Sequence, residues 1–362
     1  MDDLPFDLNQ TPEVTSFFDP ATNTIRGHVV DTIAAAAPGS VLMLQNVRAY
    51  DIERVLWKAK AADLPKLAEP LAQIANEFAA KLATVYVNEA FSAGSLDTSS
   101  TVIPAAMRRV ALGSYLADQF AGPMLRCLRA QLVIFSGLKA DKLDDMEAMI
   151  RHGHVRRLFC AGSLAMALRK ADAQLRGGDF CLGVAEDPAH ADKPYFVPAK
   201  RIDQAKRMLS EGRNNGIEFV LPIDCVLQDG RNADSLGPTD QQFDIGPKSV
   251  DHFAQKIGEF LQDAKSAAAS GQPLVAFHNG VFGMFEDPRF ENGTREFTKQ
   301  LKRMTDAGVE VYVGGGEGGT ALEKYGQPNW ITHCFTAGGT VLNALGSEPV
   351  PYLVALRLAA AN

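Results

Sequence analysis

Three times in the C-terminal two-thirds of the chain, an apolar, strand-like run breaks on small residues and reopens as a helix. Val309 to Tyr312 leads into Gly314-Gly315-Gly316-Glu317-Gly318-Gly319 and then Thr320 to Lys324. Thr332 to Thr336 leads into Gly338-Gly339-Thr340, and Leu158-Phe159 into Ala161-Gly162-Ser163. At such a junction, backbone N–H groups and the positive end of a helix point at whatever lies above the sheet, which suits an anion. Glycine lets the backbone come close and adopt positive φ. Three junctions of this kind in one sheet predict a phosphate-rich ligand, and a nucleotide is the natural candidate. The histidines show no metal-ligand spacing, and His152 and His154, set among Arg151, Arg156 and Arg157, read as a solvated turn.

The elements that must position these loops alternate. Strands are expected at Leu132 to Phe135, 156 to 160, Glu218 to Leu221, Leu274 to Phe277, Val309 to Val313 and Thr332 to Phe335. Helices are expected over 140 to 150, 163 to 175, 200 to 212 and 248 to 267. This alternation implies a parallel sheet wrapped by helices, with ligands at the carboxyl ends of the strands. Upstream, a helix is expected at His28 to Ala37, strands at Val41 to Leu44 and Thr84 to Val87, and a helix over Ala105 to Phe120 that ends near Gly122-Pro123. At 362 residues the chain suits two domains, residues 1–125 and 126–362. A hydrophobic content of 46% supplies a full core, and a net charge of −7 without any Lys/Arg block argues against nucleic acid. Cys127, Cys160, Cys181, Cys225 and Cys334 form no C-x-x-C pair and read as reduced, mostly buried residues. No stretch is long enough to span a bilayer and no apolar leader is evident, so the expected compartment is the cytoplasm.

Several segments, in order from about residue 28 to the end, together resemble the phosphoglycerate kinase family. Gln45-Asn46-Val47-Arg48 is similar to the family's E-N-V-R, and Tyr86 to Phe91 (Y-V-N-E-A-F) to Y-V-N-D-A-F. Ser136 to Leu143 (S-G-L-K-A-D-K-L) resembles G-G-A-K-V-x-D-K-I, Leu221 to Asp224 resembles L-P-V-D, and Asp244 to Lys248 matches D-I-G-P-K. Asn279 to Glu286 (N-G-V-F-G-M-F-E) resembles N-G-P-M-G-V-F-E. Gly314 to Gly326 resembles G-G-G-D-S-x-x-A-x-E-K-x-G, and Thr336 to Thr340 resembles T-G-G-G-A.

The resemblance implies an α/β protein of two Rossmann-like parallel-sheet domains that uses ATP/ADP and Mg²⁺. It places Lys139 and Lys142, next to Gly137, against the nucleotide phosphates, with the second lysine one residue closer than in the family. Gly162 with Gly246 and Pro247 would form the adenine slot, Glu286 would accept from ribose hydroxyls, and Asn279, Gly315, Gly316 and Thr340 would contact phosphate. Gly316, Gly338 and Gly339 would stabilise the phosphoryl group in flight, and Glu317, in place of an aspartate, would reach the metal. His278 stands where the family has tryptophan, and a lone histidine there reads as structural.

The departures concern the acceptor side. The family's V-D-F-N-V-P strand and S-H-L-G-R-P loop have no counterpart, and its H-R-x-H is replaced by Ser95-Leu96-Asp97-Thr98, so the N-terminal domain is reduced. Of the basic patch, only Arg48 keeps a clear position; Arg108, followed by Arg109, is a second possible source of charge. The leading expectation is therefore an ATP-dependent kinase that converts a carboxylic acid other than 3-phosphoglycerate into an acyl phosphate. The alternatives are a non-catalytic nucleotide-binding module, and a subunit whose missing cations come from a second copy or a partner chain.

Overall fold

Leu132-Val133-Ile134-Phe135 is wholly apolar and wholly buried, the signature of a strand covered on both faces by helices. It is β1 at the centre of a parallel sheet. The computed structural model describes residues 13–138, 142–346 and 349–361. The remaining strands are β2 (Arg157–Cys160), β3 (Glu218–Val220), β4 (Val275–Asn279), β5 (Glu310–Gly314) and β6 (His333–Phe335). Their order across the sheet is β6-β5-β4-β1-β2-β3, parallel throughout. The chain runs outward from β1 to β3, returns to the other side of β1, and runs outward again. The order therefore reverses between β1 and β4, the place where open α/β sheets bind ligands.

The helices follow: α1 (Lys142–Arg151), α2 (Gly162–Leu175), α3 (Ala199–Asn214), α4 (Pro247–Ala269), α5 (Asn292–Asp306), α6 (Gly316–Tyr325) and α7 (Gly338–Leu345). Phe297, Leu301 and Met304, spaced four and three apart on α5, are buried in the core shared with β4 and β5. Phe135 meets Phe277 edge-on across β1 and β4, at 6.1 Å between ring centres. Each such fully buried ring contributes about 1.5–3 kcal/mol relative to leaving it exposed. Between β3 and α4, Cys225–Leu227, Asn232–Ala233 and Gln242–Ile245 form a small antiparallel sheet; the apolar Val226-Leu227 pair reads as a strand piece in the sequence, and its two partners do not.

The described parts of residues 119–348 form one compact unit, and residues 13–118 with 349–361 form the other. The latter is the smaller of the two. Its parallel pairing amounts to Val85–Asn88 beside Arg109–Leu112 and Glu13–Val14 beside Met43–Leu44. Phe17, Phe18, Ile25, Val29 and Ile74 form its small core, with Tyr50 and Phe78 edge-on to Phe17. The helix expected over Ala105 to Phe120 is instead a 3₁₀ turn (Ile103–Ala106), a strand and a short helix (Ser114–Gln119). Arg109-Val110-Ala111-Leu112 alternates exposed and half-buried residues, and pairing with Val85–Asn88 overrides a helical composition. The helix Pro351–Ala361 packs on residues 98–106 and that strand. It thus joins the first unit, whereas a single cut after residue 125 assigns it to the second.

Candidate functional site

The strand ends at the reversal point are tied together by one side chain from each side. Asn279, the last residue of β4, donates through Nδ2 to the Gly314 carbonyl of β5 at 2.9 Å. Its Oδ1 accepts from Lys142 Nζ at 3.0 Å, and the same ammonium donates to the Ser136 carbonyl beyond β1 at 2.8 Å. A positive charge is thereby moored over the ends of three strands.

The loops around it nest backbone on backbone. Gly162 has φ +66°, and a Cβ there would lie 2.6 Å from the Gly137 carbonyl oxygen. Gly315 has φ +99°, and a Cβ on Gly338 would lie 2.9 Å from the Gly315 Cα. Gly316 and Gly339, by contrast, have no protein atom within 4 Å of such a Cβ. Nothing in the fold requires glycine at those two positions, whereas an anion approaching the backbone would. The first turns of α2, α6 and α7 have no side-chain cap at their N-cap residues, so their leading N–H groups suit an anion. Thr340 is buried in the first turn of α7.

The start of α4 is different. The Asp224 carboxylate accepts from the N–H groups of Lys248 and Ser249 at 3.0 and 2.7 Å, and from Ser249 Oγ at 2.6 Å. Gly246 packs on that carboxylate, where a Cβ would come within 2.2 Å. This helix end already holds its anion, and Gly246 and Pro247 do not line the neighbouring cleft.

That cleft has a volume of about 250 Å³. Gly137, Leu138, Gly162 and Ser163 contribute to it from the loops after β1 and β2; Gln241 to Phe243 and Val281 to Met284 supply the rest, with Glu286 and Glu317. Leu138 and Met284 are half-exposed there (51% and 50%), giving apolar surface suited to a flat base. Asp244 stands behind this wall, fully buried, accepting from the N–H groups of Gly293 and Ile245 at 2.7 and 2.8 Å. Burial pushes its carboxyl up to about 7, against the pull of those two donors. His278 is buried against Phe282 and Phe297. Neither ring nitrogen has a partner at hydrogen-bond geometry among the described residues; the nearby Gly280 backbone exerts only a minor upward pull. Burial, helped by the Lys142 charge, lowers it to about 4, so it is a neutral structural histidine at physiological pH.

Among the described residues, no three His, Cys, Asp or Glu side chains cluster as a metal site. Glu317, in the first turn of α6, supplies one hard carboxylate at the cleft. That donor set fits Mg²⁺, which typically takes one or two protein carboxylates and completes its shell with phosphate and water.

In the first unit, Arg48 Nη2 lies 3.5 Å from Asp97 Oδ1, and its guanidinium sits 5.2 Å from the centre of the Trp57 ring. Arg108 is exposed, with no hydrogen bond or ion pair among the described residues. In the Ser95–Thr98 segment, Leu96 is exposed while Asp97 and Thr98 are buried, with the Thr98 hydroxyl donating to the Ile52 carbonyl at 2.6 Å.

Of the residues singled out in the sequence, the structure gathers Gly137, Lys142, Gly162, Asn279, Gly315, Gly316, Gly338 and Gly339 at the strand ends, with Glu286 and Glu317 lining the cleft. Lys139 lies outside the described residues. Sequence reasoning missed Phe243, Met284 and the Asp224–Ser249 cap. The alternating Gln242–Ile245 segment was a legible signal for the first, but nothing local announces a cap made 25 residues away.

The family model described as phosphoglycerate kinase matches residues 8–348. A phosphoglycerate kinase of Synechococcus sp. is 28% identical over 327 residues, spanning 88% of this chain and 69% of that protein. A cytosolic phosphoglycerate kinase of Nicotiana tabacum is 26% identical over 345 residues, spanning 93% and 76%. The crystal structure of phosphoglycerate kinase from Pyrococcus horikoshii superposes with a TM-score of 0.69 at 21% identity, covering 97% of this chain and 79% of that one. No helix among the described residues is long and apolar enough to cross a membrane.

Proposed function

The chain belongs to the phosphoglycerate kinase family, ATP-dependent kinases with a carboxyl acceptor, and from that premise we infer that its own acceptor is less charged than 3-phosphoglycerate. The observation that carries this is the Ser95–Thr98 segment, which offers an exposed leucine and two buried side chains and no cation. A small carboxylic acid without a phosphate needs less positive charge to be held. In the reaction, a carboxylate oxygen attacks the terminal phosphorus of ATP, the bond to the bridging oxygen breaks, and an acyl phosphate and ADP result. The carboxylate is already ionised at neutral pH, so no general base is required. The protein's task is positioning and charge neutralisation. Lys142 and Lys139 would neutralise the phosphates, and the N–H groups at Gly316, Gly338 and Gly339 would follow the group in flight. Mg²⁺ held through Glu317 would supply Lewis-acid neutralisation of the phosphate oxygens. Asn279 orients Lys142, and Arg48 would meet the acceptor's carboxylate.

The cytosolic relative supports a cytoplasmic location. One observation favours a second reading, a nucleotide-binding module without turnover or one completed by another chain: Arg48 is already paired with Asp97. ADP release from Mg-ATP across a panel of carboxylic acids, 3-phosphoglycerate included, with hydroxylamine to trap acyl phosphates, separates the two. Hydroxamate from an unphosphorylated acid establishes the kinase and names its acceptor. Nucleotide binding by calorimetry with no hydroxamate from any acid supports the module, and 3-phosphoglycerate as the best acceptor refutes the inference.

A further inference from the structure

Arg48 is not a free cation. Asp97 Oδ1 lies 3.5 Å from it and also accepts from Trp57 Nε1 at 3.2 Å. Asp97 is 2% exposed, and its Oδ2 is buried without a hydrogen-bond partner among the described residues. Its backbone is anchored, because its carbonyl caps the Thr98–Thr101 turn through the Thr101 N–H at 2.9 Å, and its side chain is enclosed by burial. Ser99 fastens the same turn to the buried Glu53 carboxyl through its N–H and hydroxyl, at 3.0 and 2.6 Å. Two buried carboxyl groups thus face one cation.

We propose that Asp97 is a specificity-determining residue, an internal counter-ion that excludes phosphorylated acids from the Arg48 site. A phosphorylated acid brings a dianion, in addition to its carboxylate, up to an arginine whose buried counter-ion Asp97 has only the neutral Trp57 N–H as a further side-chain partner among the described residues, and like charges at close range oppose binding strongly. An acid carrying one negative charge meets less of this repulsion. The inference rests on Arg48 contacting the acceptor, as proposed above.

Asp97→Asn tests it. The amide keeps the shape and the acceptor for Trp57 Nε1 while removing the charge. Calorimetry with 3-phosphoglycerate and with glycerate, which lacks the phosphate, reads the effect without requiring turnover. The expected result is 3-phosphoglycerate binding about tenfold tighter in the variant, with glycerate and Mg-ATP little changed. The gain shrinks as salt rises and disappears in Asp97→Asn/Arg48→Met. Asp97→Ser, the replacement if the amide folds poorly, must behave the same way. An unchanged ratio of the two affinities in a folded variant overturns the proposal. Because binding alone is read, that result leaves the kinase assignment intact, and a hydroxamate assay with no active acid leaves this proposal intact.

Discussion

Gly339→Ala separates what the fold needs from what a ligand needs. Gly339 is the second residue of α7, and a Cβ there would meet no protein atom within 4 Å. Alanine is favoured over glycine in a helix by up to about 1 kcal/mol, so the variant should be as stable as the parent or slightly more so. For a protein of this size, that is a rise in melting temperature of about 1–3 °C. If a phosphate oxygen approaches the Gly339 N–H, the new methyl group pushes it back. The loss is one charge-assisted hydrogen bond, about 1.5–3 kcal/mol, or roughly 10- to 100-fold in affinity. Gly338→Ala is the contrasting case, because its Cβ would stand 2.9 Å from the Gly315 Cα and 3.1 Å from Asn279 Nδ2. Overpacking of that kind costs about 1–3 kcal/mol of stability. Thermal unfolding and calorimetry with Mg-ADP on both variants read the two effects. A Gly339→Ala protein that binds nucleotide like the parent would refute the placement of phosphate over α7, whatever its stability.

Lys142→Met leaves Ser136 O and Asn279 Oδ1 without their donor; turnover should fall about 10²- to 10³-fold, with about 1–3 kcal/mol lost in denaturant unfolding. Normal turnover would remove Lys142 from the chemistry. Glu317→Gln should raise the Mg²⁺ concentration for half-maximal rate about tenfold while sparing the fold, and an unchanged Mg²⁺ curve would remove the residue from the metal. His278 and Asp244 act on stability in opposite directions. His278, lowered from 6.5 to about 4, disfavours folding increasingly as pH falls between those values, by about 3 kcal/mol in all. Asp244, raised from 3.8 to about 7, removes a comparable amount as pH rises across its own window. Urea unfolding between pH 4 and 6.5 should therefore give stability rising with pH in Asp244→Asn and falling with pH in His278→Phe; slopes of the same sign would contradict the assignment.

Much of the second unit was legible in the sequence because its signals are local. A buried parallel strand is a short apolar run, and a helix opening on glycine is written in adjacent residues, so β1 and the three strand-loop-helix junctions stand where pattern alone put them. Arg109–Leu112 was not legible: its strand character comes from pairing with Val85–Asn88, more than twenty positions earlier. The same holds for Gly246. Its sequence suggests a ligand turn, and the carboxylate that fills the space comes from Asp224 on another segment.

Residue type and order were enough to specify the chemistry on offer: glycines at helix starts, a lysine after β1, a carboxylate in the first turn of α6, and a Ser95–Thr98 segment without a cation. Which of these groups are engaged was decided by tertiary contacts. Lys142 became a moored charge because the strand order brings the ends of β1 and β4 side by side. Arg48 became a paired charge because folding buries Asp97 against it and Trp57. A charge acts through its distance to other charges and through the water it has lost, and both are set by segments far apart in the chain.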